Sequence, residues 1–170
     1  MHPPPVLLSP TPHLETHILK VASEGFRLSL LLNAAGCQIS QSGIEIHSIA
    51  KGVSLFALAL KEVGSALDKP GELNPSHEAV GKIREIANQG EGILNDIGGM
   101  LERLKGMEPA TGEALLQRVK QCFKRHYVTY LLAQLETLKL SLIVVLQVLR
   151  LGKLNGVNGY VLTSTPIGGD

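Results

Sequence analysis

Apolar residues recur along this chain in steps of three and four, the spacing that places side chains on one face of an α-helix. One such row begins at Ile49 and another at Ile83, and each continues for about five helical turns. Helices with a single apolar face are predicted to bury that face against one another. The first row comprises Ile49, Val53, Phe56, Leu60, Val63 and Leu67, and the second comprises Ile83, Ala87, Gly90, Leu94, Ile97, Leu101 and Leu104.

The apolar spacing and the turn residues between rows predict four long helices. Thr11 is the expected N-cap of the first helix, Lys69-Pro70-Gly71 ends the second, and Asn74 is the expected N-cap of the third. A last helix over 112–151 would be about 60 Å long, against roughly 40 to 45 Å for the others. We therefore expect a bend or break near residues 121–126. The predicted helices cover residues 12–40, 42–68, 75–105 and 112–151.

The connections between these helices are short, so consecutive helices are expected to reverse direction. The predicted fold is all-α: a single antiparallel bundle of four long helices over residues 12–152. A Pro-rich leader, residues 1–11, and a Gly-rich tail, residues 153–170, are predicted to be disordered. Gly90 lies within an apolar row and indicates close approach of a neighbouring helix, with a hinge as the alternative. The predicted core includes Phe56, Leu60, Leu94, Ile97, Leu135 and Leu142.

Composition restricts the classes of partner. The 170 residues carry a formal net charge of +1, and aromatic residues make up 4%, with no tryptophan. We expect no nucleic-acid partner, because neither overall charge nor stacking aromatic rings would attract one. Cys37 and Cys122 are expected to be buried free thiols, and the apolar run at residues 6–8 is too short for a signal peptide. These features favour an intracellular, cytoplasmic protein.

The sequence contains no recognisable catalytic motif. His13 and His17 are four residues apart, as in zinc-binding helices, but no glutamate directly follows the first histidine and no third ligand lies at a suitable spacing. Gly90-Glu91-Gly92 lacks the third glycine and the preceding strand of a dinucleotide-binding loop. We therefore expect no enzymatic activity, no metal, no cofactor and no small-molecule substrate.

The last helical region contains two candidate interaction sites. Its basic cluster is either a solvated helix face at a helix break or a contact for phosphates, those of anionic lipid or of nucleic acid. Its run of four consecutive apolar residues exceeds what one buried face needs, so part of the run requires a cover: a second copy, a following domain or a partner helix. The basic cluster comprises Arg118, Lys120, Lys124 and Arg125, and the apolar run comprises Leu142, Ile143, Val144 and Val145.

Three segments resemble a known family. They are GFRLSLLLNAAGCQIS from Gly25, GIEIHSIAKGVSLFALALKEVG from Gly43 and CFKRHYVTYLLAQLETLKLSLIVVLQVLRLGK from Cys122. Together they resemble the helical N-terminal domain at the head of many filamentous-fungal proteins, a domain similar to the HeLo-like group that includes modules preceding NACHT-type and related STAND signalling domains. The resemblance covers roughly residues 23–153. It implies an all-helical interaction or effector module without catalytic residues.

The pattern and the resemblance together favour a non-catalytic protein–protein interaction or regulatory module of a fungal intracellular protein. Its expected partner is another protein or a second copy of the chain. The alternative is a HeLo-like membrane-perturbing cell-death effector, since members of that group release an N-terminal helix into the membrane. Residues 28–44 would be the corresponding segment, although Asn33, Gln38 and Gln41 disfavour insertion into a membrane. The apolar spacing of this segment instead favours packing in the core. Peripheral association with a membrane belongs to this alternative.

Overall fold

The computed structural model of the chain describes residues 12–38, 43–68 and 75–161, and these residues are almost entirely helical. No strand occurs within the described residues. The predicted leader, residues 1–11, and residues 162–170 of the predicted tail lie outside them. The helices are α1 (Pro12–Gln38), α2 (Gly43–Leu67), α3 (His77–Lys105), α4 (Gly112–Cys122) and α5 (Arg125–Val161).

Helices α4 and α5 correspond to the single last helix predicted from the sequence. The chain leaves the helical conformation at Phe123, where φ is −105° and ψ is 71°. The Phe123 N–H still donates to the Val119 carbonyl at 2.7 Å, and the Phe123 ring is buried. The ring therefore enters the core while the backbone changes direction. This interruption lies within the predicted range 121–126, and it raises the number of helices from the predicted four to five.

The start of α3 and the end of α5 differ from the prediction. Ser76, and not Asn74, caps α3, because the Ser76 hydroxyl accepts a hydrogen bond from the Ala79 N–H at 3.2 Å. Helix α5 continues to Val161, ten residues beyond the predicted helix end at residue 151. The sequence contains a reason for this continuation: Leu154, Val157 and Val161 keep the helical spacing of three and four residues.

Helix α1 packs mainly on α2. Helix α2 also packs on α5, helix α3 packs on both α1 and α5, and the short α4 packs on α3. Gly64 of α2 lies against Leu19, and Gly36 near the end of α1 lies against His47, so α1 and α2 run in opposite directions. Helices α2 and α5 run in the same direction, since residues 45–49 of α2 lie beside residues 125–132 and residues 55–62 beside residues 139–146.

The apolar rows predicted from the sequence meet in one continuous core. At Gly90 of α3, the ring of Phe56 from α2 occupies the space that a Cβ atom would fill. The predicted close approach is confirmed, and the neighbour is an aromatic ring. All six predicted core residues are buried: Phe56, Leu60, Leu94, Ile97, Leu135 and Leu142.

Candidate interaction surface

The C-terminal half of α5 exposes a row of large apolar side chains. Their exposed fractions range from 42% at Ile143 to 62% at Val144. Leu140, Val144 and Val148 follow one another at intervals of four residues and lie on one face. We call this row the outer face of α5, and it consists of Leu140, Ile143, Val144, Val148 and Leu151.

The opposite face of α5 is also apolar, and it is buried in the core. Helix α5 therefore has apolar side chains on two faces, whereas an ordinary surface helix has them on one. A helix that is apolar on both faces normally has both of them covered. The buried face consists of Leu131, Leu135, Leu138, Leu142, Leu146 and Leu149.

A groove of about 310 Å³ lies between α2 and α5, and it shares Ile143 with the outer face. Leu55 and Leu58 of α2 form one wall and are 40% and 46% exposed. Among the described residues, the charged side chains that line the groove are Glu62 from α2 and Lys139 from α5. We call it the α2/α5 groove, and its lining residues are Leu55, Leu58, Ala59, Glu62, Lys139, Leu142, Ile143 and Leu146.

The apolar run predicted to form an interaction surface is only half exposed. Ile143 and Val144 belong to the outer face, but Leu142 is fully buried and Val145 packs partly against the core. Consecutive residues on a helix point about 100° apart, so four in a row cannot share one surface. The sequence interpretation missed Leu140, Val148 and Leu151, although the helical spacing of three and four residues along this row was visible in the sequence.

The predicted basic cluster lies where α4 meets α5. Lys120, Lys124 and Arg125 are exposed. The Arg118 guanidinium is half-buried and donates to the Glu108 carbonyl oxygen, so it holds the connection before α4. The four cations therefore do not form one uniform surface.

A larger groove of about 840 Å³ lies between the C-terminal ends of α1 and α3 and helix α4. Leu31, Leu104 and Leu115 supply apolar lining, and Lys105 and Arg118 supply positive charge. Both cations already have oxygen partners within the chain, namely the carboxylate of Glu102 and the Glu108 carbonyl.

The polar side chains that meet between helices form pairs. His17 of α1 lies 3.4 Å from the Glu91 carboxylate of α3. His47 of α2 is hydrogen-bonded to the Asn33 amide oxygen of α1 at 2.9 Å. Among the described residues, no group of three or more histidine, cysteine or acidic side chains could hold a metal ion. His13, His77 and His126 are exposed.

The two thiols occupy different environments. Both cysteines are free, and Cys122 is buried as predicted, but Cys37 is exposed. The expectation for Cys37 was wrong because Gly36, one position earlier, is the residue that faces α2. Residue 37 therefore points away from the apolar stripe that contains Leu28 and Leu32.

Helix α5 contains one segment, Arg125–Leu151, that is long and apolar enough to cross a membrane, with a mean hydropathy of 1.6. The segment carries Glu136 and Lys139, so it is not an uncharged apolar stretch. A core helix of a soluble protein passes the same test of length and composition, but such a helix is mostly buried. In α5 only 28% of the apolar window is buried.

Comparisons of this chain with protein-family models, curated proteins and solved structures find no match.

Proposed function

We propose that this chain is a non-catalytic helical module for protein–protein interaction, and that it docks through the outer face of α5 and the α2/α5 groove. The observation that carries the proposal is the second apolar face of α5. Apolar surface in water is unfavourable by about 25 cal/mol per Å², so a partner that covers this face gains stability from its burial. The resemblance to the HeLo-like group supports a regulatory role in a fungal intracellular signalling protein, located in the cytoplasm.

The scaffold that we propose for this surface is a single antiparallel bundle of α1, α2, α3 and α5, with α4 in the last connection. Antiparallel here describes helices that follow one another in the chain, whereas α2 and α5, which are not consecutive, pack in the same direction. The opposite directions of α1 and α2 support this scaffold. The hydrogen bond of 2.8 Å from the Tyr127 hydroxyl of α5 to the Asp96 carboxylate of α3 joins α3 and α5 as neighbours. Helices α1 and α2 approach each other closely at Gly36 and Gly64.

The polar contacts support a non-catalytic role. His17 with Glu91, His47 with Asn33, and Tyr127 with Asp96 each join two different helices. Each pair fastens one helix to another, and none lies in the α2/α5 groove. Their arrangement is that of structural contacts on an interaction scaffold.

The second candidate function is a membrane-perturbing effector, and the exposure of Arg125–Leu151 favours it. Lys124 precedes this segment, Arg125 begins it, and Tyr127 and Tyr130 follow, as at the interfacial end of a spanning helix. Residues 28–44 suit this role less well than α5, since Leu28 and Leu32 are buried and α1 ends at Gln38. Peripheral contact with anionic lipid through Lys120 would accompany this function.

Binding of an apolar dye tests the docking surface. The full chain at submicromolar concentration is titrated with anilinonaphthalene sulfonate, beside Val144→Arg and the matched control Leu30→Arg. Leu30 is 70% exposed on α1, outside the proposed surface. We expect dye fluorescence that Val144→Arg reduces and Leu30→Arg leaves unchanged. A monomer that binds no dye would contradict the proposal.

Anionic vesicles loaded with a self-quenched fluorophore separate the two candidate functions. We expect no leakage on addition of the isolated chain. Leakage at micromolar protein that Val144→Arg abolishes, while that variant remains folded, would favour the membrane effector, because a charge placed in an inserting helix is unfavourable.

A further inference from the structure

We propose that the groove between α4 and the C-terminal ends of α1 and α3 binds a long-chain carboxylate, as a single free molecule. The described residues that line this groove include none that line the α2/α5 groove or form the outer face of α5. The inference therefore goes beyond the proposed function. The ligand is bound and not converted, so no catalytic step is involved.

The groove has the size of a small-molecule site and lies in a gap between helices. Its volume of about 840 Å³ falls within the roughly 300 to 1,000 Å³ of ligand pockets. Helix α4 packs mainly on α3, so the groove separates α4 from the last turns of α1. A molecule in this space would contact α1, α3 and α4 together.

The apolar lining of the groove is aliphatic. Leu101 of α3 is buried and Leu104 packs against the core, while Leu31 and Leu115 line the groove from α1 and α4. Among the described lining residues there is no aromatic ring. Such a lining stabilises a ligand by burying its apolar area and not by ring stacking. An alkyl chain, which is apolar along its whole length, is the group that this lining fits.

The charged side chains of the groove differ in burial. Among the described lining residues, Lys105, Glu108 and Glu113 are exposed, whereas Arg118 is half-buried. Solvent and salt screen exposed charges more than partly buried ones. Arg118 therefore decides the sign of the charge that the groove attracts, and that sign is negative.

The Arg118 guanidinium has hydrogen-bond donors without a partner. Its Nη1 donates to the Glu108 carbonyl oxygen, which holds the guanidinium beside the groove. The Nε and Nη2 donors on its other edge have no acceptor among the described residues. Two parallel N–H groups on one edge match the two oxygens of a carboxylate. A carboxylate head group would pair this charge while the alkyl chain fills the aliphatic part of the groove.

Isothermal titration calorimetry of the full chain with dodecanoate measures the binding, below the concentration at which dodecanoate forms micelles. Dodecyltrimethylammonium, which has the same chain and a cationic head group, is the matched control ligand. We expect one dodecanoate per chain and binding of the cationic ligand that is weaker by at least about tenfold. No binding of dodecanoate, or equal binding of the two ligands, would overturn the proposal.

Three variants test the residues of the site. Arg118→Met removes the charge, and Arg84→Met is its matched control, since Arg84 is exposed on α3 and does not line the groove. Ala34→Trp fills the groove from an exposed position on α1. We expect Arg118→Met and Ala34→Trp each to raise the dissociation constant of dodecanoate at least about tenfold, and Arg84→Met to leave it unchanged.

Circular dichroism checks that each variant folds. Arg118 also holds the connection before α4, so if Arg118→Met unfolds, Ala34→Trp and the pair of ligands decide the question. Dodecanoate binding that is unchanged in a folded Arg118→Met, or in a folded Ala34→Trp, would overturn the proposal.

Methyl NMR of the full chain locates the bound dodecanoate and separates this inference from the proposed function. We expect shifts at Leu31, Leu104 and Leu115, none at Val144, and unchanged affinity in Val144→Arg. Dodecanoate that shifts Val144 instead, and whose binding is lost in Val144→Arg, would overturn the groove site and leave the docking surface of α5 intact.

Discussion

Gly90 and Gly92, two residues apart in α3, differ in what surrounds them. A Cβ atom at Gly90 would overlap the Phe56 ring, whereas a Cβ atom at Gly92 meets nothing within 4 Å. We expect Gly90→Ala to lower the free energy of unfolding by about 1 to 3 kcal/mol through overpacking. Gly92→Ala, its matched control, should raise it by about 0.5 to 1 kcal/mol through helix propensity. Urea unfolding measures both, and equal effects would show that Phe56 does not pack on Gly90.

At the start of α1, removal from water and the neighbouring Asp68 carboxyl raise the pKa of Glu15 above its ordinary value. A carboxyl with a raised pKa binds its proton more tightly in the folded state than in the unfolded state. The folded protein therefore loses stability as the pH rises from the ordinary pKa of Glu15 through the raised one.

Asp68→Asn should lower the pKa of Glu15 towards its ordinary value without fully restoring it, because the effect of desolvation, the larger cause, remains. A carbon-detected NMR titration of the Glu15 carboxyl measures this change. An unchanged pKa would show that the two carboxyls do not interact in solution.

At the scale of the element, α5 allows its two apolar faces to be tested separately. Leu142 is fully buried, whereas Val144, two residues later, is 62% exposed. We expect Leu142→Arg to unfold the domain, because an unpaired charge would enter the core. Val144→Arg should change the free energy of unfolding by no more than about 0.5 kcal/mol. Thermal unfolding followed by circular dichroism compares them, and a large loss in Val144→Arg would show that the register of α5 is wrong.

The sequence predicted the inward faces of the helices well because helical periodicity directly reflects burial on one side. Phe56, Leu60 and Leu94 were placed in the core for that reason, and they are buried. The exact break between α4 and α5 was harder, since neither Gly nor Pro marks Phe123–Lys124. There the burial of an aromatic ring sets the end of the helix, and such a tertiary contact leaves little local signal.

The interaction surface was predicted only in part, for a related reason. From the sequence, the apolar run at residues 142–145 was predicted to be the interaction surface. In the structure, the exposed apolar residues of α5 are spread over three helical turns, and Leu55 and Leu58 are exposed on α2. The apolar spacing of α5 was visible in the sequence. Which of its two apolar faces meets the core depends on how α5 packs on α2, and the sequence of α5 alone does not determine this packing.

At the scale of the whole molecule, the parallel packing of α2 and α5 brings apolar residues of both helices together in one groove. Helix α5 alone has an exposed apolar row, and α2 alone has two exposed leucines. Packed in the same direction, they form a groove with an apolar floor and one charged side chain from each helix. The proposed function depends on this arrangement, which neither helix specifies alone.

Solvent accessibility of methyl groups tests the central claim most directly: α5 has one apolar face in the core and a second apolar face that is available to a partner. Methyl-labelled full chain is exposed to a soluble gadolinium chelate, and signal loss at Val144 and Val148 is compared with that at Leu30 and Leu142. We predict that the two valines lose signal as Leu30 does, whereas the buried Leu142 is protected. Val144 and Val148 signals that are protected as strongly as that of Leu142 would contradict the account.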